Sequence, residues 1–315
     1  MLGIEVCGYP RRRLFAAAVL LAVALPALSQ EQKPTEQAPE PSATGAETGN
    51  RPLASTGTGE RGLSQTFPEA SVWLELEDGG RALGLYYPEA RLPARGAVVV
   101  LADEGDTAAS GLAGSLARAL ASRGWAVLAL GLEAPSPALQ RILARPVAGA
   151  PESGPDAKGA PAESVMIDVV EPEKADDLEA RYRNRISQGL EAGLAELVKR
   201  GYERPALLGI GQASIYVAGR VLDGANASAL IWVAPRFYPV DRADLPERLA
   251  SLGTPLLDLH PVDSGRGAPG WSPGERLLRA GVESYQQQPI PWLSPPSATL
   301  GDVIASRAAA WLESL

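Results

Sequence analysis

The chain has 315 residues, with 37 acidic residues against 29 Lys and Arg, and its formal net charge is −8 at pH 7. An acidic chain with so few lysines lacks the basic surface that nucleic acids require, so nucleic-acid binding is excluded from the expected functions. One Cys and one His cannot supply the usual ligands of a zinc or iron site, so we expect no metal ion.

The first 29 residues have the pattern of a cleavable export signal. A basic stretch, Arg11–Arg13, precedes the apolar stretch Leu14–Leu25, and small residues follow at Ala27–Ser29. The apolar stretch ends at Pro26 and is too short to span a bilayer. We therefore predict cleavage after about Ser29, a periplasmic mature protein and no membrane span in it.

The segment that follows, 30–66, is predicted to be a disordered linker. It is rich in Gln, Glu, Pro, Thr, Gly and Ser, and it contains no aromatic residue. Such a segment buries too little apolar surface to offset the loss of chain entropy on folding. The pattern changes at Phe67, so we expect one folded domain over 67–315.

Beyond Phe67, predicted strands and helices alternate along the chain. The predicted strands are Ser71–Leu76, Ala82–Tyr87, Gly96–Leu101, Trp125–Leu130, Pro205–Ile210, Ser228–Val233, Pro255–Leu259 and Glu283–Gln287. The predicted helices are Ser110–Ser122, Ala175–Arg200, Gln212–Leu222, Leu245–Ser251, Pro273–Ala280 and Asp302–Leu315. This alternation indicates an α/β fold, in which helices cover both faces of a mostly parallel sheet.

One long interruption, at about 133–165, carries several Pro and Gly residues. Structureless loops of this length are uncommon inside a folded domain, so we predict a mobile surface insertion. A lid over a functional site is the alternative interpretation.

The most informative motif lies between a predicted strand and the helix after it. It reads Gly209-Ile210-Gly211-Gln212-Ala213, in the frame of the G-x-S-x-G turn that presents a nucleophilic serine. Gly211 occupies the serine position and has no side chain that could attack a carbonyl. We expect Gly211 to keep the sharp turn with a positive φ. The third glycine of a dinucleotide-binding turn is missing, because Ser214 stands there, so no cofactor is expected.

With this motif and element order, the chain resembles the α/β-hydrolase fold. More narrowly, it resembles a family of exported bacterial proteins of unknown function that have glycine at the nucleophile position. The Leu257-Asp258-Leu259 strand and the closing segment Arg307–Leu312 contribute to this narrower resemblance. The resemblance extends over about 67–315, and it implies a fold but no substrate.

Carried over to this chain, the hydrolase pattern implies an incomplete catalytic triad. Asp263 stands at the acid position, but the loop 288–296, where the His should lie, contains none. The loop that should stabilise an oxyanion reads Ala102-Asp103-Glu104-Gly105-Asp106, and its three acids would repel a negative charge.

Two other residues are candidates for a rearranged site. Ser214, at the first turn of the helix, has no base near it in sequence, and we expect it to cap or pack rather than to react. His260, the only histidine, shares a strand face with Asp258 because side chains alternate along a strand. The pair could act as a base or a pH switch, but a hydrogen-bonded residue at the strand end is the favoured interpretation.

The sequence therefore predicts a non-catalytic hydrolase-like protein, a pseudo-hydrolase. We expect it to bind a small ligand or a protein of the cell envelope through the former active-site cleft. The alternative is an esterase-like hydrolase with a rearranged active site that uses His260 with Asp258 or Asp263.

Overall fold

The computed structural model describes residues 59–145, 172–262, 273–282, 284–291 and 297–315, which form an eight-stranded sheet with helices on both faces. The predicted signal peptide, the predicted linker up to residue 58, the insertion beyond residue 145 and Asp263 lie outside the described residues.

The strands are β1 (Ser71–Glu75), β2 (Arg81–Tyr87), β3 (Gly96–Glu104), β4 (Trp125–Leu132), β5 (Ala206–Ile210), β6 (Leu230–Val233), β7 (Leu256–Pro261) and β8 (Tyr285–Ile290). Their order across the sheet is β1-β2-β4-β3-β5-β6-β7-β8. Strands β1 and β2 run antiparallel to their neighbours, and all other pairs are parallel. The central strands are apolar because they are covered on both faces; Val98, Val99 and Val100 of β3 are fully buried.

The helices are α1 (Glu60–Thr66), α2 (Gly111–Ser122), α3 (Pro137–Leu143), α4 (Pro172–Lys199), α5 (Ala213–Leu222), α6 (Pro239–Leu249), α7 (Pro273–Arg279) and α8 (Gly301–Leu312). Side chains of α2 and α8 share one core with the sheet, while those of α4, α5, α6 and α7 belong to the core on the other face. Although α4 has 28 residues, no helix in the described ranges is long and apolar enough to cross a membrane.

The predicted fold class is confirmed, and the predicted strands and main helices differ from the structure mostly at their ends. Helix α6 differs most, because it begins at Pro239, whose fixed φ suits a first helical position, rather than at Leu245. Strands β3 and β4 also extend further toward their carboxyl ends than the sequence indicated.

Two short helices lie where none was predicted. Helix α1 occupies the end of the predicted linker, and Glu60 Oε1 accepts a hydrogen bond from the Leu83 N–H of β2 at 3.1 Å. The ordered domain therefore begins before Phe67, which corrects the predicted boundary. Helix α3 lies within the predicted insertion; the Ser136 side chain caps its first turn, and Leu139 and Leu143 are buried.

Candidate functional site

The turn between β5 and α5 keeps the backbone of a nucleophile elbow. Gly211 has a φ of +58°, so the predicted positive φ is confirmed. Its N–H donates to Val233 O of β6 at 2.9 Å, and its carbonyl accepts from the Arg236 N–H at 3.0 Å. A Cβ at Gly209 would lie 2.8 Å from backbone atoms of Ala213, so glycine lets α5 pack closely on β5. The elbow is thus retained as a backbone feature.

The space above Gly211 is filled by the carboxylate of Asp103. A Cβ built on Gly211 would lie far inside van der Waals contact with all three carboxylate atoms of Asp103. Asp103 comes from the end of β3, the strand beside β5 in the sheet, and it is 8% exposed. A serine side chain therefore has no room at the elbow while Asp103 lies there.

Asp103 also occupies the hydrogen-bond donors that an α/β-hydrolase uses to stabilise its oxyanion. Those donors are the N–H after the nucleophile and an N–H from the loop after β3. Here Asp103 Oδ1 accepts from the Gln212 N–H at 3.0 Å and from the N–H of Glu104, the last residue of β3 before that loop, at 2.8 Å. One of the acids that were expected to repel an oxyanion therefore also accepts hydrogen bonds from these two N–H groups.

Arg236 neutralises this carboxylate. Its Nη2 donates to Asp103 Oδ2 at 2.6 Å, and its side chain is 59% exposed. Sequence analysis missed Arg236, because a residue 133 positions from its partner leaves no pattern in the chain. The nearby Ala234 has a φ of +48°, which is unusual for a residue with a side chain and is visible only in the structure.

Tyr238, which packs against side chains of α3 and α4, contacts one of the acids at the end of β3. The Tyr238 hydroxyl donates to Glu104 Oε2 at 2.6 Å. Leu139 and Leu143 of α3 pack with Tyr238 and with Tyr182 of α4. Burial, together with the Glu104 contact, raises the pKa of Tyr238, which keeps its hydroxyl protonated as a donor. Burial and repulsion from Asp103 raise the pKa of Asp106.

Ser214 lies inside the protein rather than at a site that a substrate could reach. It is fully buried in α5, and its hydroxyl donates to Gly209 O at 3.3 Å. Its neighbours Ala213, Ile215 and Val217 belong to the core.

Asp258 and His260 lie on one face of β7, alternating with the core residues Leu257 and Leu259. Asp258 is fully buried, and its Oδ2 accepts from the Tyr285 hydroxyl at 2.7 Å and from Gln287 Nε2 at 3.3 Å. Burial raises the pKa of this carboxyl, while its hydrogen bonds and the nearby His260 act in the opposite direction.

One strand lies between the strand that carries this pair and the strand that leads to the elbow. In the register of the sheet, Gly209 of β5 pairs with Trp232 of β6, which pairs with Asp258 of β7. Two strand spacings, or roughly 9–10 Å, separate β5 from β7. The fully buried Trp232 lies between them. Among the described residues, no group of three His, Cys, Asp or Glu side chains could hold a metal ion.

The strand order, the elbow turn and the two helical layers define an α/β-hydrolase fold. Est1E from Butyrivibrio proteoclasticus has the same fold, with a TM-score of 0.50, 8% identity and coverage of 78% of this chain and 100% of that one. Dienelactone hydrolase from Anabaena variabilis gives a TM-score of 0.49 at 15% identity, covering 78% and 96% of the two chains. None of the curated proteins compared with the chain matches it.

Residues 12–269 match the family described as "Protein of unknown function (DUF3530)". The match covers most of the chain, so the protein belongs to this family, and the predicted resemblance to a family of unknown function is confirmed.

Proposed function

We propose that this protein is a non-catalytic member of the α/β-hydrolase fold that acts in the periplasm by binding a small ligand or an envelope protein. One observation carries the proposal: Asp103 Oδ1 accepts both backbone amides that would stabilise an oxyanion, and its carboxylate fills the place of the nucleophile. A serine hydrolase needs that nucleophile and those free donors in the same place.

The geometry gives the alternative hydrolase little support. Ser214 is fully buried and donates its hydroxyl to a backbone carbonyl, so it lacks access to a substrate. Asp258, the proposed partner of His260, is held by Tyr285 and Gln287 of β8. A binding role needs neither a nucleophile nor a base, and it is compatible with the filled elbow. The export pattern at 1–29 supports the periplasmic location.

An activity assay tests the proposal. The purified protein is incubated with short-chain p-nitrophenyl esters and, separately, with a fluorophosphonate probe, alongside its His260→Gln variant. We expect neither protein to show saturable ester turnover or to be labelled by the probe, because the elbow has no nucleophile. Saturable turnover that disappears in His260→Gln would instead establish the rearranged hydrolase, and labelling of Ser214 would do the same.

The location has its own test. Intact mass of the protein recovered from the periplasmic fraction should correspond to a chain that begins at Gln30. Recovery in the cytoplasm with residues 1–29 still attached would contradict export.

A further inference from the structure

An apolar cavity of about 120 Å³ lies between the sheet and α4, beside the carboxyl ends of β3 and β4. Its apolar lining includes Leu76, Leu83, Leu101, Leu130, Leu132 and Ile186. The carboxyl ends of parallel strands are where α/β folds bind their ligands. This cavity is lined by other residues than those of the elbow, Asp103 and Arg236. A ligand can therefore bind in it while Asp103 fills the elbow.

Gly189 of α4 keeps part of this volume open. It is buried, it lines the cavity, and a Cβ built on it would meet no atom within 4 Å. Glycine in a helix interior destabilises the helix relative to alanine. The apolar lining is partly open to solvent, and a bound apolar group would remove that surface from water. Glycine at this position therefore keeps space open in which a ligand can bury apolar surface.

The lining indicates what such a group is. Leucine and isoleucine side chains offer no hydrogen bonds, so the free energy of binding must come from burial of apolar surface. An apolar cavity of about 150 Å³ lined by similar residues holds benzene. The present volume therefore fits one aromatic ring or a short acyl chain.

The cavity also has a polar edge, where Glu133 and Arg185 line it and are exposed to solvent. Glu60 lines the same edge, but its Oε1 already accepts the Leu83 N–H. No ion pair of Arg185 occurs within the described residues. A ligand with an apolar group and a polar end could thus bury the first and leave the second in water.

We propose that this cavity binds a small amphiphilic molecule, with an apolar group the size of an aromatic ring or a short acyl chain inside and its polar end beside Glu133 and Arg185. This names the ligand class of the non-catalytic function proposed above and rests on that function.

Titration of the full exported protein with benzene, hexanol, hexanoate and hexylamine, followed by NMR, tests the proposal. We expect one saturable site for benzene and for at least one hexyl compound, and the preferred head group reports the charge that the cavity edge selects. Gly189→Leu should weaken binding about tenfold or more by filling the cavity, whereas Gly189→Ala should change it only about twofold.

A matched control variant, Gly219→Leu, fills a different cavity. Gly219 of α5 lines a separate cavity of about 330 Å³ between α4, α5 and α6, and a Cβ there would also meet no atom within 4 Å. Gly219→Leu should therefore leave the affinity for benzene unchanged. If Gly189→Leu does not fold, Ile186→Ala provides the test by enlarging the cavity, and indole should then bind at least about tenfold more tightly than to the wild type.

Three outcomes overturn the proposal. The first is the absence of saturable benzene binding to the wild type, and the second is equal binding to the wild type and Gly189→Leu. The third is binding of benzene without any hexyl compound, which would mean a closed packing defect. Failure of the non-catalytic function would be seen separately, as ester turnover or fluorophosphonate labelling.

Discussion

Two buried carboxylates, Asp103 at the end of β3 and Asp258 in β7, have opposite kinds of partner. Asp103 accepts from two backbone amides and from the guanidinium of Arg236. Asp258 accepts from a tyrosine hydroxyl and a glutamine amide, both uncharged, and no hydrogen bond to its Oδ1 occurs within the described residues.

The difference shows two ways in which this fold accommodates a buried carboxylate. A cation and two amides compensate the charge at Asp103, so a fixed anion can sit where an oxyanion would form only transiently. At Asp258 burial dominates, and the carboxyl is held as a hydrogen-bonded group between β7 and β8. Asp103 fills the space at the elbow, whereas Asp258 accepts hydrogen bonds from two side chains of β8, the last strand of the sheet.

The largest expected effect comes from restoring the serine. Gly211→Ser should lower the free energy of unfolding by about 3 kcal/mol, because the side chain overlaps Asp103 and a non-glycine residue at this φ is strained. Urea denaturation at constant slope measures the loss. No esterase activity should appear, since Asp103 accepts from both backbone amides that would stabilise an oxyanion.

Two controls separate the overlap with Asp103 from the backbone strain at positive φ. Gly79→Ser places serine at a φ of +76° with no atom within 4 Å of its Cβ, so it should cost only the strain, about 1 kcal/mol. In an Asp103→Ala background, Gly211→Ser should also cost about 1 kcal/mol. An equal cost of Gly211→Ser with and without Asp103 would falsify the claim that its carboxylate fills the elbow.

The next largest effect comes from removing the carboxylate itself. Asp103→Ala should cost about 2 kcal/mol, because two N–H groups and Arg236 lose their acceptor. Asp103→Asn should cost about 1 kcal/mol, since its amide oxygen still accepts. Arg236→Gln should cost 1 kcal/mol or less, at about the level of an exposed pair, because Arg236 is more than half exposed. If Asp103→Asn and Asp103→Ala lower the free energy of unfolding equally, the hydrogen bonds at Asp103 contribute little to stability.

The fold was predictable because its signals are local. The continuous apolar stretch of β3 and the elbow motif can each be read within about ten residues. Helix α1 escaped prediction because it is short and polar, and a hydrogen bond between Glu60 and Leu83 links it to β2. Tertiary contacts determine whether such short helices form, and no periodicity in the sequence indicates those contacts.

The site was predictable only in part, for the same reason. The motif identified Gly211 and the missing nucleophile, and it identified the acids after β3. It could not show that Asp103 lies over Gly211 and pairs with Arg236, because these contacts join residues more than a hundred positions apart. The sequence predicted repulsion of an oxyanion by these acids, but it did not show that one carboxylate also accepts hydrogen bonds from the two amides.

The smallest expected effect concerns Asp258 and the dependence of stability on pH. Burial raises the pKa of this carboxyl, so the folded protein holds its proton more tightly than the unfolded chain does. Stability from this group is therefore fully present below the unfolded pKa, about 3.9, and it falls as the pH rises from there through the raised folded pKa.

Asp258→Asn should remove this dependence while an amide oxygen still accepts the Tyr285 hydroxyl. At pH 7 the variant should be as stable as the wild type or more stable by up to about 1 kcal/mol. Its unfolding free energy, measured in urea from about pH 4 to 7, should decline less steeply with pH. Some decline should remain, because Asp106 and Asp241 also have raised pKa values.

Asp302→Asn, at an exposed carboxylate, is the control and should keep the wild-type slope of unfolding free energy against pH. If Asp258→Asn also keeps that slope, the carboxyl of Asp258 does not titrate differently in the folded and unfolded protein, and the contrast with Asp103 is lost.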